Sequence, residues 1–307
     1  MSKDSGHEIV GQKDIPDCLG PRREPEQPKF TLPQGTWDAH FHTLGPVSKF
    51  RYAPTRRYSP PDAPLEELLK FHDHIGVERG FVVHANTHGL DNSVFLDTLD
   101  RTDGRYRGVL RLNSSLTVKE CRELQERGVR GARFAFNPAH GGALDRSEVE
   151  AVIRRIAEEG WFVEFHFEGE MLAELSSWFA DMPVNVVIDH FGRIRAADGP
   201  NQDPFRQLLT LAEYRHVWIK ISGADRVSAT GCPYDDVTPF THALAEVAAD
   251  RLIWGTDWPH TGYFERDNFP SDNGLVDVLP AFLPEPKIRY DVLVNNPLRL
   301  AGELGHS

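Results

Sequence analysis

Cysteine is scarce in this chain, with three residues in 307, at positions 18, 121 and 232. That is too few, and too scattered, for a disulfide framework or a cysteine zinc site. Free thiols fit a reducing compartment, so a cytoplasmic location is expected. No apolar run approaches the ~20 residues needed to span a bilayer. The opening stretch MSKDSGHEIVGQKD has no apolar core, so a secretory signal is not expected. Positive charge is also in deficit. A net charge of −12 argues against a nucleic-acid or anionic-membrane surface, although a few arginines can still set the potential of a small cleft. Also missing are the Gly-x-Ser-x-Gly elbow of serine esterases, the phosphate-binding P-loop and the dinucleotide fingerprint. No internal repeat or low-complexity tract stands out.

What the chain does have is a dense set of histidines and carboxylates in one recurring position. Residues 1 to 35 are rich in Pro, Glu, Lys and Gln and read as an irregular arm. From Thr36 on, short β-rich runs alternate with helix-like stretches. The expected strands are Thr36–His42, Gly80–Ala85, Tyr106–Leu112, Gly131–Phe136, Trp161–Phe167, Val184–His190, Val217–Ser222 and Arg251–Asp257. Several are almost wholly apolar, as in Val186-Val187-Ile188, which suits strands covered on both faces. Helical periodicity marks Pro64–Ile75, Val118–Arg127, Arg146–Glu159, Met171–Phe179 and Pro239–Val247. Eight strand–helix units over residues 36–307 predict a single (β/α)8 barrel. An open doubly wound sheet is the competing architecture but normally uses fewer strands.

A barrel carries its chemistry at the carboxyl ends of its strands. The polar residues gather there: His40 and His42, Asn86 and His88, Arg133, His166, Asp189 and His190, Lys220 and Ser222, then Asp257 and His260. In Asp38-Ala39-His40-Phe41-His42, side chains at i and i+2 share a face, so the two imidazoles converge as a divalent metal requires. Asp38 is expected to brace the first strand, and Trp258 to pack the barrel mouth.

D-A-H-x-H, V-I-D-H-F-G-R at 187–193 and W-G-T-D-W-P-H at 254–260 together resemble the amidohydrolase superfamily. More narrowly, the chain is similar to the 2-pyrone-4,6-dicarboxylate lactonase group between about Thr36 and Leu300. That likeness includes L-G-P-x-x-x-F-x-Y-A-P-x-R-x-Y at 44–58, H-G-x-D-N at 88–92 and N-P-x-R-L at 296–300. The 4-sulfomuconolactone hydrolases resemble the same group, and D-galactarolactone isomerases form a related branch. The resemblance implies hydrolysis of an anionic lactone in aromatic-compound degradation. It implies His40, His42, His166 and Asp257 as ligands of zinc or another divalent metal, with Asp257 and His190 handling protons. Arg133, Arg193 and Arg226 would hold anionic groups, with Tyr58, Asn86 and His260 as further substrate contacts.

Two departures from the pyrone lactonases stand out. Those enzymes have a tyrosine at the position of His166 and work without a metal, so His166 points to a metal site. They also place an arginine beyond strand four where this chain reads Phe136-Asn137-Pro138-Ala139-His140, and a serine where it has Asn86. Both changes imply a different lactone, with 4-sulfomuconolactone the leading candidate. The pyrone dicarboxylate, an aldarolactone isomerisation, a decarboxylation and a non-catalytic lactone-binding protein are the alternatives.

Overall fold

The computed structural model describes residues 15–136 and 145–303. Eight parallel strands run in the order β1 to β8 around one sheet. They are β1 Trp37–Phe41, β2 Arg79–Val83, β3 Tyr106–Leu110, β4 Val129–Ala135, β5 Phe162–His166, β6 Val186–Ile188, β7 Val217–Lys220 and β8 Leu252–Ile253. Backbone hydrogen bonds join the first strand to the last segment: Ala39 N–H donates to Trp254 O at 2.8 Å, Asp257 N–H to His40 O at 2.8 Å and His42 N–H to Trp258 O at 2.8 Å. Those bonds make the expected barrel. Asp38 reinforces the same seam, since its carboxylate accepts from His40 N–H at 3.0 Å and Thr256 N–H at 2.9 Å.

Helices α1 Leu65–Ile75, α2 Ser93–Arg101, α3 Val118–Glu126, α4 Arg146–Ile156, α5 Leu172–Ala180, α6 Asp203–Ala212, the short α7 Ala224–Val227 and α8 Thr238–Ala248 alternate with the strands. Their local causes are legible. In α1 the buried positions are Leu65, Leu68, Phe71, His72 and Ile75, one stripe of a 3.6-residue period. Each such apolar side chain contributes ~1.5–3 kcal/mol when buried. The helix stops at Gly76, whose φ of 87° an L-residue with a Cβ adopts poorly. Thr117 and Glu120 cap α3 reciprocally, each side chain accepting from the other's backbone N–H.

The main apolar cluster lies between sheet and helices. A separate one joins Trp37, Ala39, Phe81, Val109, Phe162, Val187, Trp218 and Ile253, drawn from seven of the eight strands, with Leu300 and Ala301. Packing of this kind plugs a barrel rather than leaving a pore. Trp258 stacks on Phe71 with ring centroids 6.0 Å apart, in keeping with its expected packing role.

The strands stop short of their expected carboxyl ends, two of them at the centre of the functional end. β6 stops at Ile188 and β8 at Ile253, before Asp189-His190 and Asp257. The chain leaves the ladder there because His190, Phe191, Arg193, Asp257 and His260 all take left-handed φ values between 46° and 60°. β4 starts two residues early, at Val129. Left-handed backbone at non-glycine residues costs ~1–3 kcal/mol each and gathers where function demands a particular side-chain aim. Residues 15–35 hold no helix or regular strand; the arm is pinned by Cys18 N–H to Ser59 O at 2.9 Å and Leu19 N–H to Tyr263 O at 2.7 Å. No helix among the described residues is long and apolar enough to cross a membrane.

Candidate active site

A cavity of about 820 Å³ opens at the carboxyl ends of the strands, and His42, Arg133, His166, His190, Arg226 and Asp257 line it. Its centre is Asp257. Oδ1 of this carboxylate lies 3.6 Å from His40 Nε2, 3.5 Å from His42 Nε2 and 3.9 Å from His190 Nε2. Oδ2 is held by Arg226, through Nε at 2.9 Å and Nη2 at 2.8 Å. Burial would raise the carboxyl pKa, but Arg226, His190 and His42 override it and hold Asp257 well below the usual carboxylate range. One oxygen is therefore neutralised and the other is free to face three imidazoles.

The donor atoms fit a metal ion. Zinc bound at ~2.0–2.2 Å in tetrahedral geometry sets neighbouring ligand atoms ~3.4 Å apart, close to the Asp257–histidine spacings here. His42 Nδ1 lies 2.7 Å from Val83 O, and only an N–H can donate to a carbonyl. The lone pair of His42 is thus on Nε2, the atom turned toward Asp257. His40 Nε2 is buried and has no hydrogen-bond partner among the described residues, which a metal would explain. His40, His42 and Asp257 form one compact ligand group; His40, Asp189 and His190 form another.

His166 belongs to neither compact group. The structure puts it at the end of β5, on the wall of the same cavity, with its ring centroid 5.8 Å from that of His190. The ligand set expected from the sequence therefore assembles as three close groups with His166 beside them, because β5 ends further around the barrel mouth than the β1–β8 seam.

Beneath this site lies a buried charge network in which the sequence reading gave no role to Glu164, Asp189 or Lys220. Arg133, on β4, donates to Asp189 Oδ2 through Nε at 3.2 Å and Nη2 at 2.9 Å, lies 3.1 Å from Glu164 Oε1, and donates to His84 O at 2.9 Å. Lys220, on β7, pairs with Glu164, lies 3.3 Å from Asp189 Oδ1 and reaches His40 Nδ1 at 3.0 Å. His40 Nδ1 is also 3.1 Å from Asp189 Oδ1. Two cations thus balance two carboxylates with almost no water access. Burial, then Asp189, raises the Glu164 pKa, while Lys220, His40 and Arg133 outweigh burial at Asp189 and hold it low. The signal was present in the sequence: Glu164 and Lys220 interrupt strands that are otherwise apolar, and a charge there needs a partner.

Arg133 accordingly differs from its expected role. It borders the cavity, but its guanidinium is committed to Asp189, Glu164 and a backbone carbonyl, so it acts first as a counter-charge. Arg226 likewise lines the cavity while ion-paired with Asp257, and its guanidinium carbon sits 4.5 Å from the Tyr263 ring centroid. Arg193 is on the wall, with Nε 3.9 Å from Glu168. Tyr58 and Asn86 line the cavity too, the Tyr58 hydroxyl donating to Thr261 Oγ1 at 2.8 Å. His260 does not line it; it is fully buried with Nε2 2.8 Å from Asp272 Oδ1, because its left-handed backbone turns it into the packing below the loop. His88 is buried against Tyr52 and Phe95 and braces its loop. The changed stretch around Ala139 lies outside the described residues.

His190 is the remaining central group. Its Nδ1 lies 2.9 Å from Ser222 Oγ, and burial pushes its pKa down to about 4 against the pull of Asp257 and Asp189. It is a neutral imidazole at pH 7.

The family model for amidohydrolases matches residues 37–302. The chain belongs to the amidohydrolase family. Among its relatives is the 4-sulfomuconolactone hydrolase of Rhizobium radiobacter, 47% identical over 292 residues, covering 95% of this chain and 98% of that one. The 2-pyrone-4,6-dicarboxylate hydrolase of Comamonas testosteroni is 38% identical and covers 90% and 93%. Among solved structures, an Agrobacterium tumefaciens protein in apo form superposes with a TM-score of 0.79 at 27% identity, covering 90% and 98%. This amidohydrolase thus carries its polar groups where the family fold opens to solvent.

Proposed function

We propose that this amidohydrolase hydrolyses a small anionic lactone formed in aromatic-compound degradation, with 4-sulfomuconolactone the leading substrate. The observation that carries the reading is Asp257 Oδ1 set among three imidazoles in a cavity that also presents Arg193. The 47% identity to a 4-sulfomuconolactone hydrolase supports that choice of lactone.

His40, His42 and Asp257, with His166 on the adjoining wall, would hold a divalent ion, zinc being the leading one for a histidine-rich set. Bound there, such an ion would lower the pKa of a water and polarise the lactone carbonyl. The chain's own residues do the rest. Arg226 fixes Asp257 so that Oδ1 faces the cavity, where it takes a proton from the attacking water. His190, kept neutral by burial and oriented by Ser222, steadies that water through Nε2. Water oxygen bonds to the carbonyl carbon, the ring carbon–oxygen bond breaks, and Asp257 returns its proton to the leaving oxygen. The new carboxylic acid gives up a proton to solvent. Arg193 orients an anionic substituent, with Tyr58 and Asn86 shaping the wall beside it.

The test combines metal analysis with a lactone panel followed by base consumption. About one divalent ion per chain and a higher kcat/KM for sulfomuconolactone than for the pyrone dicarboxylate are expected. Faster pyrone opening would instead favour the second reading, which the 38% identity to a pyrone dicarboxylate hydrolase supports. Conversion of an aldarolactone into another lactone would sink the hydrolase reading altogether.

A further inference from the structure

The catalytic cavity adjoins a second chamber of about 600 Å³, and the two share Arg56, Arg57, Tyr58 and Asn86 along their common wall. Arg51 and Arg111 complete the cationic lining of the second chamber, and Asp91 is the only carboxylate among its described lining residues. Asp91 is already engaged, its Oδ1 accepting from Ser93 N–H at 2.8 Å. None of the four arginines is ion-paired among the described residues. Arg56 donates only to Ala53 O at 3.1 Å and Ser59 Oγ at 3.0 Å.

Arg111 is the telling member. It follows β3 directly, the position where a barrel places working side chains. It is only partly exposed, yet no described carboxylate reaches its guanidinium; only its main chain is held, by the Asn92 amide at 2.8 and 3.3 Å. Burial and then Arg133, another cation, push its pKa below the usual arginine range. A half-buried guanidinium with no ion pair among the described residues and a second cation acting on it is costly unless an anion visits it. The same wall holds three buried polar atoms without hydrogen-bond partners among the described residues: Tyr52 OH, Thr87 Oγ1 and His88 Nε2. Thr87 and His88 are only 3% and 2% exposed.

We propose that this chamber is a second anion site, adjoining the catalytic centre, that takes a small polycarboxylate through Arg111 and Arg51. Opening a lactone adds one carboxylate to the molecule, so the ring-opened product is more anionic than its precursor and suits a chamber with excess positive charge. Only the identity of that natural occupant rests on the lactonase reading.

The test is calorimetric titration of the intact protein with succinate. Two succinates per chain are expected for the wild type. Arg111→Met should remove one of them or weaken it at least ten-fold, the loss typical of a charge-assisted contact, while Arg111→Lys should keep it. Arg51→Met, at an exposed side chain with no ion pair among the described residues, should weaken the same site and serves as the second variant should Arg111→Met fail to fold. A single succinate per chain in the wild type, or unchanged binding in both methionine variants, overturns the proposal. Titration with the ring-opened product separates the two sources of polycarboxylate: ten-fold tighter binding than succinate marks a product site, and equal binding a site for free dicarboxylates. Turnover is not needed for this experiment. A chain that binds two succinates but opens no lactone would refute the lactonase reading and leave the second site standing.

Discussion

Replacing Arg133 by methionine separates two physical roles for the same residue. If Arg133 chiefly orients substrate, its loss raises KM and leaves stability alone. The structure points the other way, because the side chain is 7% exposed and faces Asp189 at 2.9 Å and Glu164 at 3.1 Å. Without it, Lys220 is the one remaining buried cation for two buried carboxylates. Breaking a buried pair by removing one partner typically costs ~3–5 kcal/mol. For a domain of this size ~1 kcal/mol corresponds to roughly 2 °C, so a fall in Tm of about 6–10 °C is expected. The urea midpoint should fall in parallel. Adding Glu164→Gln removes one of the two carboxylates that then compete for Lys220, so the double variant should recover part of the loss, with a coupling of ~1 kcal/mol or more between the two sites. Arg193→Met is the contrasting variant. Its side chain is on the wall and loosely paired, so KM should rise while Tm stays within about 1 °C, the range expected of changes outside the packed core. An Arg133→Met protein with wild-type melting and only a raised KM would refute the counter-charge argument.

Two further outcomes test the site and its supports. His42→Ala should lose the bound metal outright, whereas His166→Ala should weaken it by roughly 10–100-fold, as for a group outside the compact set; equal loss in both, measured by elemental analysis after dialysis, would place His166 in the inner set. His260 has its pKa raised because Asp272 outweighs the lowering effect of burial. Its stabilisation is therefore complete below the unfolded-state histidine pKa of ~6.5 and is lost as pH rises through the higher folded value. Between pH 6 and pH 9 the urea midpoint should fall less in Asp272→Asn than in the wild type, and identical slopes would show that the pair does not titrate as a unit.

Much of this site was legible in the chain itself. The alternation of apolar strands and periodic helices specified a barrel, since a strand covered on both faces must be apolar and a helix covered on one must repeat near 3.6. The position of His40, His42, His190 and Asp257 at the carboxyl ends of such strands then indicated which end of the barrel is active. What the sequence by itself could not decide was which charges neutralise one another. Arg133, Arg193 and Arg226 look alike as letters, yet one is tied to Asp189 and Glu164, one to Asp257, and one stands on the cavity wall. His166 and His260 carry the same ring, but one borders the cavity and the other is closed against Asp272. Partners such as Lys220 and Glu164 are 56 residues apart, and His40 and Lys220 are 180 apart. Local propensity acts over a few residues, whereas electrostatic pairing in a low-dielectric interior depends on distances of a few ångströms, and those exist only once the eight strands have closed.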